Sequence, residues 1–203
     1  MNFKSTLAVA LLATSAAGSA FADAIPYPTP GTPNPTTYTF TAASSGDITA
    51  YFMGTGASYT EQLGLLVNGV DTGKLGLDNH STSVGTSFDF GSVTAGDVLT
   101  FYMHVNDSGA TWYSDATLNT DGANHVYSTG YSGGVASIPP GTYVGFEDLS
   151  AVPAGNSDFN YFDETFVFTN VATSTPSVPE PGNTALLLAG LGLVGVVARR
   201  RRA

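Results

Sequence analysis

The chain has 203 residues, no cysteine, and sixteen acidic against six basic residues, for a net charge of −10. All sixteen acidic residues lie between Asp23 and Glu180, where Lys74 is the only lysine or arginine, so this region carries a net of fifteen negative side-chain charges. Such a surface excludes nucleic acid and anionic lipid as favoured partners, because both require positive charge. It favours divalent cations bound through oxygen ligands, and solubility alone is the alternative reason for the acidity.

Residues 1–22 have the pattern of a secretory signal peptide. Lys4 provides a positive start, an apolar stretch runs from Leu7 to Ala13, and Ala20 and Ala22 form an A-x-A cleavage site before Asp23. We therefore predict export through the Sec translocon and removal of this segment. Because the chain has no cysteine, the exported domain must be stable without disulfides.

The region after the signal peptide has the pattern of a β protein. Five prolines in residues 23–35 predict an extended lead-in, and residues 36–172 form short segments of alternating apolar and polar residues without a 3.6-residue apolar period. The predicted strands are 36–41, 47–53, 62–67, 70–72, 87–90, 98–105, 143–149 and 161–171, with Asn68-Gly69 as a hairpin turn and glycine-rich loops over 106–134. This pattern predicts an all-β domain, an antiparallel β-sandwich or jelly-roll-like fold.

Two acidic segments are the strongest candidates for a binding site. The first is Gly-Phe-Glu-Asp-Leu over residues 145–149, and the second is the Asx-rich stretch 156–164. Together they resemble the DUF4114 type of domain, although Phe162 stands where that pattern usually has asparagine. The resemblance implies a calcium site formed by Glu147, Asp148, Asp158, Asn160 and Asp163. Calcium takes six to eight oxygen ligands, which these residue types supply; an Asx-rich turn that bonds only to its own backbone is the alternative.

Aromatic residues in the predicted loops allow a second kind of site. Trp112 and Tyr113 lie within the glycine-rich region, and exposed aromatic rings can stack on sugar rings. They are therefore candidate glycan contacts of a carbohydrate-binding module. The alternative is that the rings pack the loops onto the sandwich.

Enzymatic activity is not expected from this sequence. Residues 130–134 match the G-x-S-x-G pattern of a nucleophile elbow, but no helix pattern follows and no histidine occurs after His125 to complete the Ser-acid-His order. No pair among the many carboxylates is marked out for glycoside hydrolysis. We predict a non-enzymatic protein without catalytic residues, with a secreted hydrolase as the less favoured class.

The last 31 residues have three parts in a fixed order. A spacer rich in Ser, Thr and Pro, residues 173–181, ends in Val178, Pro179, Glu180 and Pro181. Residues 182–203 contain an apolar run from 185 to 198 and then a basic cluster formed by Arg199, Arg200, Arg201 and Arg202. The apolar run would span about 21 Å as a helix, short of a hydrocarbon core of roughly 30 Å. We predict a marginal, transient inner-membrane anchor with its arginines on the cytoplasmic side.

This tripartite tail resembles the PEP-CTERM sorting signal of Gram-negative, exopolysaccharide-producing bacteria. The resemblance implies processing by an exosortase, a membrane protease or transpeptidase, and delivery to the outer surface or extracellular matrix. It also implies a structural role associated with exopolysaccharide and biofilm. An ordinary C-terminal membrane anchor that is never cut is the alternative.

Overall fold

The computed structural model describes residues 25–152 and 156–175, and this part of the chain is built from eleven strands. The strands are β1 (Thr39–Ala42), β2 (Gly46–Thr55), β3 (Glu61–Val67), β4 (Val70–Gly76), β5 (Ser87–Val93), β6 (Val98–Val105), β7 (Thr111–Tyr113), β8 (Val126–Tyr131), β9 (Gly141–Phe146), β10 (Glu164–Thr169) and β11 (Val171–Ser174). Two short 3-10 turns, Ala116–Leu118 and Val135–Ser137, are the helical elements of the described residues.

The strands form two antiparallel sheets. The first sheet has the order β11-β1-β6-β3-β4, with β7 also paired to β6, and the second has the order β5-β2-β10-β9-β8. Every pairing within them is antiparallel. The predicted all-β sandwich is therefore confirmed.

The core lies between the two sheets and follows from the two-residue period of the strands. Side chains at alternate positions of a strand point to the same face. The core cluster accordingly contains alternate residues of two strands: Leu99, Phe101, Met103 and Val105 of β6, and Ile48, Ala50 and Phe52 of β2. Phe101 of the first sheet stacks on Phe168 of the second, with ring centroids 3.9 Å apart. This contact joins the sheets at the centre of a cluster rich in phenylalanine and leucine.

The hairpin at Asn68-Gly69 forms as predicted. Asn68 has φ = 51° and Gly69 has φ = 78°, the pair of positive values required by the two-residue turn between β3 and β4. The prediction of continuous loops over 106–134 was wrong, because β7 and β8 lie within that range. The three-residue β7 pairs with β6, and the six-residue β8 pairs with β9.

The proline-rich segment packs onto the sandwich from residue 25 onward. Tyr27 is buried against Tyr161, and the backbone NH of Asn34 donates to the Tyr161 hydroxyl at 2.7 Å. Across residues 25–152 and 156–175, no helix has the length and apolar character needed to span a membrane. The predicted signal peptide, residues 176–181 of the predicted spacer and the apolar, arginine-ended tail lie outside these ranges.

Candidate functional site

The predicted acidic residues meet where β9 ends and β10 begins. Glu147 and Asp148 directly follow β9, and Asp163 directly precedes β10. Because β9 and β10 are antiparallel neighbours with Glu164 opposite Phe146, these positions lie at the same edge of the sheet. One carboxylate oxygen from each of Glu147, Asp148 and Asp163 lies within 4.8 Å of the others, which is close enough for all three to bind one metal ion.

Backbone hydrogen bonds fix the positions of these acids. The Asp148 NH donates to Oδ2 of Asp163 at 2.8 Å, and the Asp163 NH donates to the Phe146 carbonyl at 3.1 Å. The hydroxyl of Thr55 donates to the Asp163 carbonyl at 2.5 Å, which attaches the end of β2 to the same point. The three acids are thus held by the sheet rather than by a free loop, and the site is preorganised.

The three carboxyl groups are buried and have no positive partner among residues 25–152 and 156–175. Glu147, Asp148 and Asp163 are 2%, 7% and 8% exposed, and Lys74, the only lysine or arginine in the described region, donates instead to the Asp89 carbonyl. Glu147 Oε2 has no hydrogen-bond partner among the described residues. A buried carboxylate without compensation is costly, so this arrangement calls for a bound proton or a cation.

Burial and mutual repulsion change the acid strength of these groups. Burial is the main cause that raises the pKa of Glu147 to about 7; the Asp158 and Asp148 carboxylates add to it and the Ser157 side chain opposes it. Burial, followed by the Glu147 and Asp148 carboxylates, raises the pKa of Asp163 to about 9. Both raised pKa values mean that ionising these carboxyl groups in the folded protein costs free energy, and a divalent cation would offset that cost.

The buried, stacked rings of Trp112 and His125 contact the backbone of the site. The indole Nε1 of Trp112 donates to the Asp148 carbonyl at 2.6 Å, and the Trp112 ring stacks on the His125 ring at 3.9 Å. His125 contacts the Glu147 carbonyl through Nδ1 at 2.9 Å and Asp121 Oδ2 through Nε2 at 3.1 Å. These contacts fix the carbonyls of both strand-end acids and do not involve their carboxylates.

In front of the acids lies an open cleft of about 420 Å³. Its floor contains the three buried acids, and its rim includes residues 56–59, Asn156 and Asp158. Ser58, Tyr59, Asn156 and Asp158 are exposed. A cation on the floor would therefore be accessible to water or to a ligand entering from the surface.

The two remaining predicted ligands differ in position. Asp158 lines the cleft, and its charge acts on Glu147 and Asp163. Asn160 lies outside the cleft-lining set; its Nδ2 donates to Asp158 Oδ2 at 2.7 Å and its Oδ1 accepts from the Phe162 NH at 2.6 Å. The side chain of Asn160 thus forms the Asx-type turn that was the alternative for this segment.

Sequence reasoning missed two acids, Glu61 and Glu164, both fully buried. Glu61 begins β3 in phase with Leu63 and Leu65, and Glu164 begins β10 in phase with Phe166 and Phe168. The alternation therefore indicated that both side chains point into the core. An acidic residue at the inward position of an apolar strand was the signal that could have identified them.

The predicted glycan contacts do not form an exposed platform. Trp112 is 5% exposed and is covered by His125, so its ring cannot stack on a sugar in this structure. Tyr113 is half-buried, and its ring centroid lies 5.6 Å from that of Tyr102. The prediction for Trp112 was wrong because β7 pairs with β6 and draws the indole into the core.

One comparison with known proteins gives a match. The family model of the PEP-CTERM protein-sorting motif matches residues 177–202, the segment that contains Val178 to Pro181 and the arginine cluster. No curated protein and no solved structure matches the chain. The motif implies export, membrane-associated sorting toward the cell surface and processing by an exosortase. The chain is thus an exported protein that carries a PEP-CTERM sorting motif at residues 177–202.

Proposed function

We propose that this protein is a non-enzymatic structural component of the cell surface or extracellular matrix of a Gram-negative bacterium, associated with exopolysaccharide and biofilm. We also propose that it binds calcium at Glu147, Asp148 and Asp163. We further propose that the chain is exported through the Sec translocon and is then anchored transiently in the inner membrane. Asp158 at the cleft rim would add a ligand directly or through water. The unpartnered, buried Oε2 of Glu147 is the observation that carries the cation site.

The donor set favours a hard divalent cation over a transition metal. Carboxylate oxygens are the ligands that calcium and magnesium prefer, and no histidine or cysteine belongs to the cluster among the described residues. Calcium is the better fit because it accepts six to eight oxygens in irregular geometry, whereas magnesium requires a near-ideal octahedron. Backbone carbonyls of residues 56–59 and water entering the cleft would supply further oxygen ligands.

The effect of the cation would be structural. Glu147 and Asp148 lie at the end of β9, Asp163 lies at the start of β10, and the segment after β2 borders the same cleft. A cation bound between them would join these three chain segments, as a disulfide does in other exported proteins. This role suits a chain without cysteine whose acidic residues repel one another.

Thermal unfolding of the purified full-length chain, with calcium and with EDTA, tests the cation site. At a calcium concentration one hundred times the Kd, binding stabilises the native state by about 2.7 kcal/mol, which for a domain of this size raises Tm by roughly 5–10 °C. We expect Asp163→Asn to lose this shift and Asp89→Asn, which removes an exposed acid on β5, to retain it. Identical curves for the wild-type chain in calcium and in EDTA would overturn the proposal.

A carbohydrate-binding role is the second candidate, and the cleft rather than Trp112 favours it. Tyr59 is 39% exposed at the rim, which the exposed residues Asn156 and Asp158 also line. An aromatic ring beside amide and carboxylate groups is suited to stacking on a sugar and binding its hydroxyls. Retention of the chain on the organism's own polysaccharide should fall with Tyr59→Ala and not with Leu118→Ala, an exposed apolar control outside the cleft. Equal retention of both variants would show that Tyr59 does not contribute to polysaccharide binding.

A further inference from the structure

The N-terminal strap, which we define as residues 25–34, packs against the rim loop, which we define as residues 157–162. The rim loop leads directly into Asp163 and contains Asp158, which lines the cleft. The backbone NH of Gly31 in the strap donates to the carbonyl of Asp158 at 3.0 Å. The strap therefore fixes the main chain of the residue that brings a carboxylate to the cleft rim.

Tyr161 is the main point of contact between the strap and the rim loop. It is 1% exposed, and its ring lies edge-on to the Tyr27 ring with the two centroids 4.8 Å apart. Its hydroxyl accepts a hydrogen bond from the Asn34 NH at 2.7 Å, across 127 positions of the sequence, and donates to the Asn124 carbonyl at 3.3 Å. Tyr161 is therefore held by the strap and by the segment before β8 together.

Asn34 in turn attaches the strap to the sandwich. Its side-chain Nδ2 donates to the Val126 carbonyl on β8 and to the Tyr38 hydroxyl, both at 3.0 Å. Asn34 is 6% exposed, so these bonds are shielded from water. Because the strap has this attachment of its own, it can act as a fixed support for the rim loop.

The rim loop has a backbone conformation that requires support. Phe159 has φ = 50° and Tyr161 has φ = 54°, in the left-handed region that aromatic residues seldom occupy. Such residues persist where the surrounding structure holds them. Within the loop, the Phe159 NH donates to Ser157 Oγ and the Asn160 NH donates to Asp158 Oδ1, each at 3.1 Å. The contacts of the strap with Asp158 and Tyr161 add support from a distant part of the chain.

Tyr161 also joins the rim loop to the floor of the cleft. A Cβ on Gly145 would lie 2.2 Å from the Tyr161 carbonyl oxygen, so the loop crosses β9 in close contact two residues before Glu147. Asp158 precedes Tyr161 by three residues, and Asp163 follows it by two. A displacement of Tyr161 would therefore move both of these acids relative to Glu147.

We propose that Tyr161 is a positioning residue of the calcium site, and that the strap sets the calcium affinity by holding Tyr161 in place. Residues that orient the ligands of a metal commonly control its affinity without binding it themselves. Because the predicted cleavage before Asp23 places the strap at the N-terminus of the mature chain, that terminus contributes to the site. This inference rests on the proposed calcium site, to which Tyr161 itself supplies no ligand.

Calcium affinity, measured by isothermal titration calorimetry of the purified full-length chain with calcium chloride, tests this role. Tyr161→Phe removes the hydroxyl that accepts from the Asn34 NH, and Tyr27→Ala removes the ring that packs on Tyr161. We expect each change to raise the Kd by about tenfold, within the range typical of coupling between sites. Tyr131→Phe is the matched control, because it also removes a tyrosine hydroxyl that accepts from a backbone NH, that of Val135, at the opposite end of β8.

The Kd is compared with Tm in EDTA, at a temperature at which circular dichroism shows each variant to be folded. A positioning role raises the Kd of Tyr161→Phe and Tyr27→Ala above that of Tyr131→Phe, whereas a merely structural role lowers Tm alone. Calcium binding by the wild type with an equal Kd in both strap variants would overturn this inference and leave the calcium site intact. An equal rise in Tyr131→Phe would also overturn it, because affinity would then follow general stability. No calcium binding by the wild type would overturn the site and the inference together.

Discussion

Oδ2 of Asp163 accepts a hydrogen bond from the backbone NH of Asp148 at 2.8 Å. This bond joins the end of β9 to the start of β10 and uses one of the two Asp163 oxygens. A carboxylate oxygen of Asp163 also lies within 4.8 Å of one from each of Glu147 and Asp148. Asp163 thus holds the turn and can also offer a ligand oxygen. We therefore expect cation binding and the stability of this edge to be coupled.

Stability without a cation should fall as the pH rises. The pKa of Glu147 is raised from 4.5 to about 7 and that of Asp163 from 3.8 to about 9, so the folded state holds protons that the unfolded chain has released. Their contribution is fully present below about pH 4 and is lost as the pH rises through about 7 and about 9. A tenfold difference in proton affinity between the folded and unfolded states corresponds to about 1.4 kcal/mol. We expect Tm in EDTA to decrease from pH 5 to pH 9, measured by circular dichroism.

Calcium should remove this pH dependence, because it takes the place of the protons on the same oxygens. Asp163→Asn should flatten the profile in EDTA, since the amide does not titrate. A wild-type Tm in EDTA that is constant or increasing between pH 5 and pH 9 would contradict the assignment of these groups as uncompensated buried acids.

Trp112→Phe should destabilise the domain through the loss of one hydrogen bond. The substitution keeps an aromatic ring against His125 but removes the Nε1–H that donates to the Asp148 carbonyl at 2.6 Å. Leaving a buried acceptor without its donor costs about 1–3 kcal/mol, which urea denaturation can measure. Tyr113→Phe is the control, because the half-buried Tyr113 keeps its ring contact with Tyr102. A loss of polysaccharide retention at unchanged stability would instead indicate a direct role of Trp112 in binding.

Gly145→Ala should disturb the site through the backbone rather than through a ligand. A Cβ at Gly145 would lie 2.2 Å from the Tyr161 carbonyl oxygen, so the segment that leads to Asp163 must move. Overpacking of this kind costs about 1–3 kcal/mol, and we expect calcium affinity to fall as well. Gly130→Ala on β8 is the matched control, because a Cβ there meets no atom within 4 Å. Equal unfolding midpoints of the two variants in urea would show that the contact at Gly145 is not restrictive.

The mature protein should lack the arginine cluster of the sorting motif. Exosortase processing near Pro179 to Pro181 would remove Arg199 to Arg202 and release the domain from its transient anchor. Mass spectrometry of the protein isolated from the cell surface should give a C-terminus close to Pro181. Replacing Pro179, Glu180 and Pro181 with alanine should preserve the intact tail in the membrane fraction. If the wild-type surface protein still carries Arg199 to Arg202, the tail is an ordinary membrane anchor that is not cut.

Local patterns in the sequence were sufficient for the fold class, the Asn68-Gly69 turn and the sorting motif. Strand β6 was predicted at 98–105, because its alternation is long and regular, and the turn was predicted because asparagine and glycine tolerate positive φ. Glu147, Asp148 and Asp163 lie together in the structure because two antiparallel neighbours place their ends at one edge. These features depend on residues that are close in the chain or in adjacent strands.

Tertiary structure alone decided which acids share one environment and which aromatic rings are exposed. Glu61 reaches Asp148 only because β3 packs across the sandwich from β9 and β10, a contact between residues far apart in the sequence. Trp112 is buried because pairing of β7 with β6 draws it inward, which no local pattern encodes. Burial is a property of the packed sheets, and it turns the strand-end acids into carboxyl groups that favour a bound proton or a cation over a free negative charge.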